Sequence, residues 1–149
     1  MFNTNREVEF TYMGGTKTEV TKVVDGDTID VEIDLGFDIS FSSRVRLAGI
    51  DTPESRTTDK AEKELGLEVK KKLGELIANA KSVVIRTEKM DSSEKYGRIL
   101  GWLYLDGEAL SVNEALVAGG YAWGYLGDTK VKDFEALKKK RAESGTLKK

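Results

Sequence analysis

The chain has 149 residues, 39% of them hydrophobic and 34% charged, which is enough for one core and typical of a folded domain rather than a disordered segment. It contains no cysteine and no histidine, which excludes disulfides, thiol nucleophiles, Ser–His triads and the usual zinc sites. Any general base must therefore be a carboxylate, Lys or Tyr. Any bound metal must be a hard cation held by oxygen: calcium, magnesium or manganese.

Along the chain, residues 7 to 12 alternate apolar and polar as a strand does, and Gly14-Gly15 ends them. Residues 18 to 24 and 28 to 34 read as two strands around Asp25-Gly26-Asp27, where Asp-Gly between alternating runs signals a hairpin. A third strand spans 38 to 49, with Val45 and Leu47 pointing one way and Arg44 and Arg46 the other. A helix follows with Val69, Leu73, Leu76 and Ala80 on one face. Asp59 with Glu62 makes a candidate capping box. Gly66 would cost a helix interior roughly 1 kcal/mol, so the helix core is expected at 67 to 79. Residues 82 to 88 and 97 to 105 read as strands, and Asp106-Gly107 turns the chain. Ser111 and Glu114 form a capping box for a short helix that stops at Gly119-Gly120. A last helix is expected from 131 to 142, with Val131, Phe134 and Leu137 as its buried stripe. The sum is one α+β domain over residues 1–149. Its expected closure is a small five-stranded Greek-key β-barrel of the oligonucleotide-binding (OB) kind with three helices.

The net charge is −2, whereas nucleic-acid-binding domains are usually basic. A site built of carboxylates lowers that figure and recruits positive charge from a metal. The tail also gathers Lys138, Lys139, Lys140, Arg141, Lys148 and Lys149 against Glu143 alone. Apolar runs such as Ile99 to Leu105 are too short to span a bilayer. Residues Met1 to Arg6 carry no apolar stretch of the signal-peptide kind, so a cytoplasmic chain or a mature secreted one is expected.

Three segments carry candidate chemistry: Val24-Asp25-Gly26-Asp27-Thr28, the run from Arg46 through Asp51-Thr52-Pro53-Glu54, and Lys95-Tyr96-Gly97-Arg98. Asp25 and Asp27 stand two apart, so on a strand both carboxylates project together, which is unfavourable without a cation. The same residues also read as a plain turn with both side chains in solvent. Pro53 biases Thr52 to an extended backbone, which splays Asp51 and Glu54 and leaves the Thr52 carbonyl accessible. Two carboxylates and a carbonyl suit calcium, while a surface Arg46–Glu54 ion pair is the plainer alternative. Tyr96 offers a face for a base and Arg98 a planar fork for phosphate. Arg56 and Lys60, in the loop 55 to 65, are candidates to touch substrate, with a merely mobile, solvated loop as the alternative.

Together these segments resemble the staphylococcal nuclease (thermonuclease) family. The match runs from about residue 18 to the last helix and includes Val112-Asn113-Glu114-Ala115-Leu116-Val117. The resemblance implies a calcium-dependent phosphodiesterase that cuts DNA and RNA, single strands preferred, and leaves 3′-phosphorylated products. It implies a monomer that uses no membrane. Asp27 and Asp51 resemble the calcium carboxylates, with the Thr52 carbonyl as a third protein ligand and Asp25 in the outer shell. Glu54 resembles the general base, Arg46 and Arg98 the phosphate clamp, and Lys95 and Tyr96 the holders of the terminal phosphate and adjacent nucleotide. Tyr125 or Tyr121 matches a substrate-stacking tyrosine. Trp123 fits that task too, or the core, and its size favours the core. Glu94 departs from the aspartate common in the family. Asp25, Asp27, Asp51 and Glu54 are expected to crowd one site. Two other readings use the same residues: an OB-fold module that binds nucleic acid or a partner without cutting, and a calcium-binding structural protein. The second has no need of two arginines.

Overall fold

A computed structural model describes residues 7–10, 18–88, 99–125 and 132–144. The chain order is β1 (Glu7–Phe10), β2 (Thr18–Asp25), β3 (Thr28–Gly36), β4 (Ile39–Leu47), β5 (Ile50–Asp51), α1 (Lys60–Ala78), β6 (Val83–Glu88), β7 (Ile99–Leu105), α2 (Val112–Ala118), β8 (Trp123–Gly124) and α3 (Phe134–Ser144). Among these residues no helix is long and apolar enough to cross a membrane.

The main sheet has six strands in the order β1-β6-β7-β4-β3-β2, and β5 and β8 form a separate pair. Sequence patterning expects a strand at residues 7 to 12, five more after it, and a five-stranded closed barrel. The structure has all of these strands, with β1 paired alongside β6, and no ladder joins the β2 end to β1 or β6 among the described residues. β2 and β6 nevertheless approach each other across the curled sheet. The core fills the concave side, where Ile29, Val45, Leu47, Ile85 and Leu103 are all but inaccessible to solvent, and Val69 and Leu73 of α1 close it.

The expected third strand, 38 to 49, ends earlier because Gly49 takes φ +76° and starts a new direction at β5. A Cβ on Gly49 would also lie 2.7 Å from the Trp102 ring. That break separates Arg46 from Asp51 by a turn and lets both reach one place. The last helix begins at Phe134, three residues later than expected, after Asp133, whose side chain accepts from the Ala136 amide. Leu137 is buried as expected, whereas Val131 lies outside the described residues.

The buried amide of Asn113 fixes the turn that carries β5. Its nitrogen donates to the carbonyls of Ala48 (2.8 Å) and Gly101 (3.0 Å), and its oxygen accepts from the Leu103 amide (3.1 Å). Ala48 thereby sits bonded to β7 and α2 at once, and the Tyr125 amide adds a bond to the Gly49 carbonyl (2.8 Å). Asn113→Ala would strand the Ala48 carbonyl and Leu103 amide without water. At about 1–3 kcal/mol per buried unsatisfied group, a loss of roughly 3 kcal/mol is expected. A denaturant titration checks this, and an unchanged midpoint would show the amide to be dispensable.

Candidate active site

The β2–β3 hairpin, the Arg46 end of β4, β5 with its following loop, and Tyr125 after β8 converge beside one face of α1. Asp25 pairs with Thr28 across the hairpin, and a bulge between Val23 and Asp25 twists the strand just before it. The tight turn needs Gly26, because a Cβ there would lie 2.6 Å from Val69 of α1 and 3.1 Å from the Thr52 hydroxyl. The expectation that Asp25 and Asp27 project together from one strand is not met. Asp25 ends β2, Asp27 lies in the turn, and they engage different partners. Asp25 Oδ1 accepts from the Gly26 amide (2.9 Å) and the Ser55 hydroxyl (2.8 Å). Asp27 Oδ1 accepts from the Thr28 hydroxyl (3.0 Å).

Arg46 is the hub. Its side chain is 9% exposed, and its Nη2 stands 3.5 Å from both Asp27 Oδ2 and Asp51 Oδ1. That is the outer edge of hydrogen bonding, so these are primarily charge contacts. Nη1 donates to the Leu47 carbonyl (3.2 Å), and the guanidinium carbon lies 5.6 Å from the Tyr125 ring centroid, within cation–π range. The plain Arg46–Glu54 surface pair is therefore not what forms. Arg44 serves elsewhere: it makes a two-pronged pair with Asp30, its partner across β3 and β4, at 2.8 and 3.1 Å. The Arg44 hydrogen bonds hold the Asp30 carboxyl below its ordinary value. The contribution of that exposed pair is thus present above the usual aspartate range and fades as pH falls through the lowered value.

Glu54 is held from below and approached from the side. Its amide donates to Glu62 Oε2 (3.1 Å), and its carboxylate lies 3.7 Å from the ammonium of Lys132. Lys132 also donates to Glu62 Oε2 at 2.8 Å. That hydrogen bond to Glu62 raises the Lys132 pKa above the ordinary lysine value, aided by the charges of Glu54, Glu62 and Asp51 and opposed by burial. Asp59 caps α1 by accepting from the Ala61 and Glu62 amides, but the expected capping box is half made, since Glu62 turns to Glu54 and Lys132. Gly66 lies inside α1, not before it, and a Cβ there would come within 2.5 Å of the Glu54 carbonyl carbon and oxygen.

The acidic residues do not crowd together as expected. Among the described residues no group of three or more acids is gathered as a metal cluster. Each carboxylate instead has its own donor or cation: Ser55 for Asp25, Arg46 for Asp27 and Asp51, and Lys132 for Glu54. What remains suited to a cation is the convergence of Asp27 and Asp51 on one point, with the buried Thr52 backbone following Asp51. These are oxygen donors only, the set that a hard cation takes, so the residues fit calcium in donor chemistry.

Of the three aromatic candidates, Tyr125 stands over Arg46, whereas Tyr121 is buried with Arg141 4.0 Å from its ring centroid. Trp123 is only half-buried. Its ring packs 5.7 Å from Phe134 and its indole nitrogen donates to the Asp133 carbonyl (3.2 Å), so it anchors the start of α3. Lys95, Tyr96 and Arg98, together with Glu94, lie outside the described residues. Sequence reasoning missed Glu62, Gly66, Asn113 and Lys132 as parts of this site. The spacing of Glu62, Gly66, Val69 and Leu73 is a helical face, and it is the signal that was available.

With this geometry in place, the chain belongs to a nuclease-like family: the model of the family described as staphylococcal nuclease homologue matches residues 44–147, more than half of the sequence. Among its relatives, the SPbeta prophage-derived endonuclease YokF of Bacillus subtilis (strain 168) is 33% identical over 124 residues, 83% of this chain and 39% of its own length. Endonuclease YncB of the same organism is 33% identical over 129 residues, covering 85% of this chain and 57% of its own. A micrococcal nuclease of Shigella flexneri is 33% identical over 114 residues, or 72% and 57% respectively. The chain thus spans less than two thirds of these relatives.

Proposed function

We propose that this protein is a calcium-dependent nuclease that hydrolyses phosphodiester bonds of DNA and RNA, prefers single strands and leaves 3′-phosphates. The observation that carries the proposal is the meeting of Asp27 and Asp51 at one guanidinium nitrogen of Arg46, beside the ring of Tyr125. Membership of the staphylococcal nuclease homologue family and relatives named as endonucleases support it. We read the approach of β2 to β6 as the seam of a five-stranded OB barrel, one domain over 1–149, acting as a monomer.

On this reading Asp27, Asp51 and the Thr52 carbonyl hold calcium, with Asp25 behind them steadied by Ser55. Bound there, calcium supplies Lewis-acid stabilisation of the charge that grows on a phosphate oxygen. Asp27 and Asp51 would hold the cation, and Arg46, whose Nη2 stands 3.5 Å from both, would present its fork to a phosphate beside it. Arg46 and Arg98 then stabilise the five-coordinate phosphorus, and Glu54 takes the proton of the attacking water. Tyr125 packs against the nucleotide, and Lys95 and Tyr96 hold the neighbouring phosphate and base.

The test is incubation with single-stranded DNA and RNA in calcium, in magnesium and in excess chelator, with the product ends identified. Cleavage to 3′-phosphates is expected with calcium, much less with magnesium, which keeps its waters and demands strict octahedral geometry, and none in chelator. Full activity in chelator overturns the calcium assignment. Binding of single strands without cleavage, whatever the metal, overturns the enzyme and leaves a binding module.

A further inference from the structure

We propose that Lys132, paired with the buried Glu62, is a positioning residue for Glu54, so that the chain entering α3 holds the general base in place. The inference rests on the nuclease reading above, and it assigns work to a residue that neither motif spacing nor that reading uses.

The Glu62 side chain is 8% exposed, and a carboxylate so enclosed persists as a charge only if a cation and hydrogen bonds compensate it. Both are present on one oxygen, Oε2: the Lys132 ammonium at 2.8 Å and the Glu54 amide at 3.1 Å. Glu62 therefore joins the backbone of Glu54 to Lys132. Lys132 adds a second link by standing 3.7 Å from Glu54 Oε1. The Glu54 side chain is 58% exposed, and Lys132 is the cation it meets among the described residues, so its direction depends on this contact.

Lys132 is itself fixed from behind. The next residue, Asp133, accepts the Trp123 indole hydrogen bond through its carbonyl, and Phe134 packs on the Trp123 ring. Trp123 lies opposite Asp51 in the β5–β8 pair. The lysine that faces Glu54 is thus built onto the same strand pair that carries Asp51. One small frame sets the spacing between the base and the cation ligands. The hydrogen bond to Glu62 raises the Lys132 pKa above the ordinary lysine value, so the contribution of the lysine is complete below the ordinary lysine range and fades only as alkali carries the pH through the raised value.

The test compares wild type, Lys132→Met, Lys132→Arg and the double variant Lys132→Met/Glu62→Gln, each with and without Glu54→Gln. Lys132→Met is expected to lower kcat about tenfold with KM unchanged, the size typical of losing a partner that orients a functional group. Lys132→Arg should recover most of that loss. The double variant leaves no uncompensated buried charge, so it keeps the test valid if Lys132→Met alone folds poorly, and it should show the same fall in kcat. In the Glu54→Gln background, removing Lys132 should cost nothing further. Amide hydrogen exchange gives a readout independent of cleavage: the Glu54 amide should exchange faster in Lys132→Met while core amides such as Leu103 stay protected. Equal kcat in wild type and Lys132→Met, or a tenfold loss that persists with Glu54→Gln, overturns the inference and leaves the nuclease reading standing. A wild-type protein that cuts nothing in calcium overturns the nuclease reading and the catalytic half of this one. An unchanged Glu54 exchange rate overturns the remaining structural half.

Discussion

Arg46→Lys is expected to lower the rate of calcium-dependent cleavage at saturating substrate by at least about a hundredfold, the usual cost of losing one preorganised transition-state donor. The geometry gives the reason. The Arg46 fork reaches the Leu47 carbonyl with one nitrogen and both Asp27 and Asp51 with the other, while its flat face lies over Tyr125. A lysine is a point charge on a flexible stem and cannot hold these together or present two parallel donors to a phosphate. Arg44→Lys provides the control. Arg44 sits two residues away on the same strand but spends its fork on Asp30, and its side chain is 50% exposed, so cleavage should remain near wild type. Because Arg46 is buried, its replacement should also lower the melting temperature, and the rates must be compared where both proteins are folded. Equal losses at Arg44 and Arg46, which share one face of β4, would show that the site does not single out Arg46.

The chemistry of this site was legible where it sits in short motifs. Asp-Gly-Asp between alternating runs gave the hairpin, and Arg46, Asp51 and Thr52-Pro53-Glu54 gave the strand exit, because turn residues and carboxylates announce themselves locally. The scaffold beneath was less legible. Gly49 looks like part of a continuous strand until its positive φ is known. Glu62 looks like half of a capping box and Gly66 like a costly residue for a helix interior, so propensity places the helix core too late, at 67, when the helix starts at Lys60. Their reason for being there is a contact with residues 54 and 55, which no local pattern encodes. Lys132 was invisible for a stronger reason: it is one of many lysines, and only the fold brings it to an acid seventy positions earlier in the chain. The expectation of a mutually repelling acid cluster failed on the same account, since cations and hydroxyls from separate elements stand beside each acid.

Gly66 supplies the prediction on which local propensity and tertiary packing disagree in sign. Propensity alone says that Gly66→Ala should stabilise α1 by about 1 kcal/mol, since glycine is the costlier residue in a helix interior. Packing says otherwise. The added Cβ would lie 2.5 Å from the carbonyl carbon and oxygen of Glu54 and 2.6 Å from the Ser55 amide nitrogen. These are backbone atoms, and they cannot swing aside as a side-chain tip can. Contact at an ordinary distance requires the helix and the loop to part by about 1 Å, and overpacking of that kind costs typically 1–3 kcal/mol. The net expectation is a protein that is slightly to moderately less stable than wild type. Activity should suffer more. The same loop carries the proposed base, and Ser55 steadies Asp25 at 2.8 Å. Misplacing a catalytic group by about 1 Å can cost on the order of a hundredfold, so kcat should fall by about that factor. Gly74 is the internal control: it lies in the same helix with open space around its missing side chain, so Gly74→Ala should raise the melting temperature and leave cleavage unchanged. Thermal melts and saturating cleavage rates for both variants decide the matter. If Gly66→Ala behaved like Gly74→Ala, the seat of Glu54 on α1 would not matter to the site.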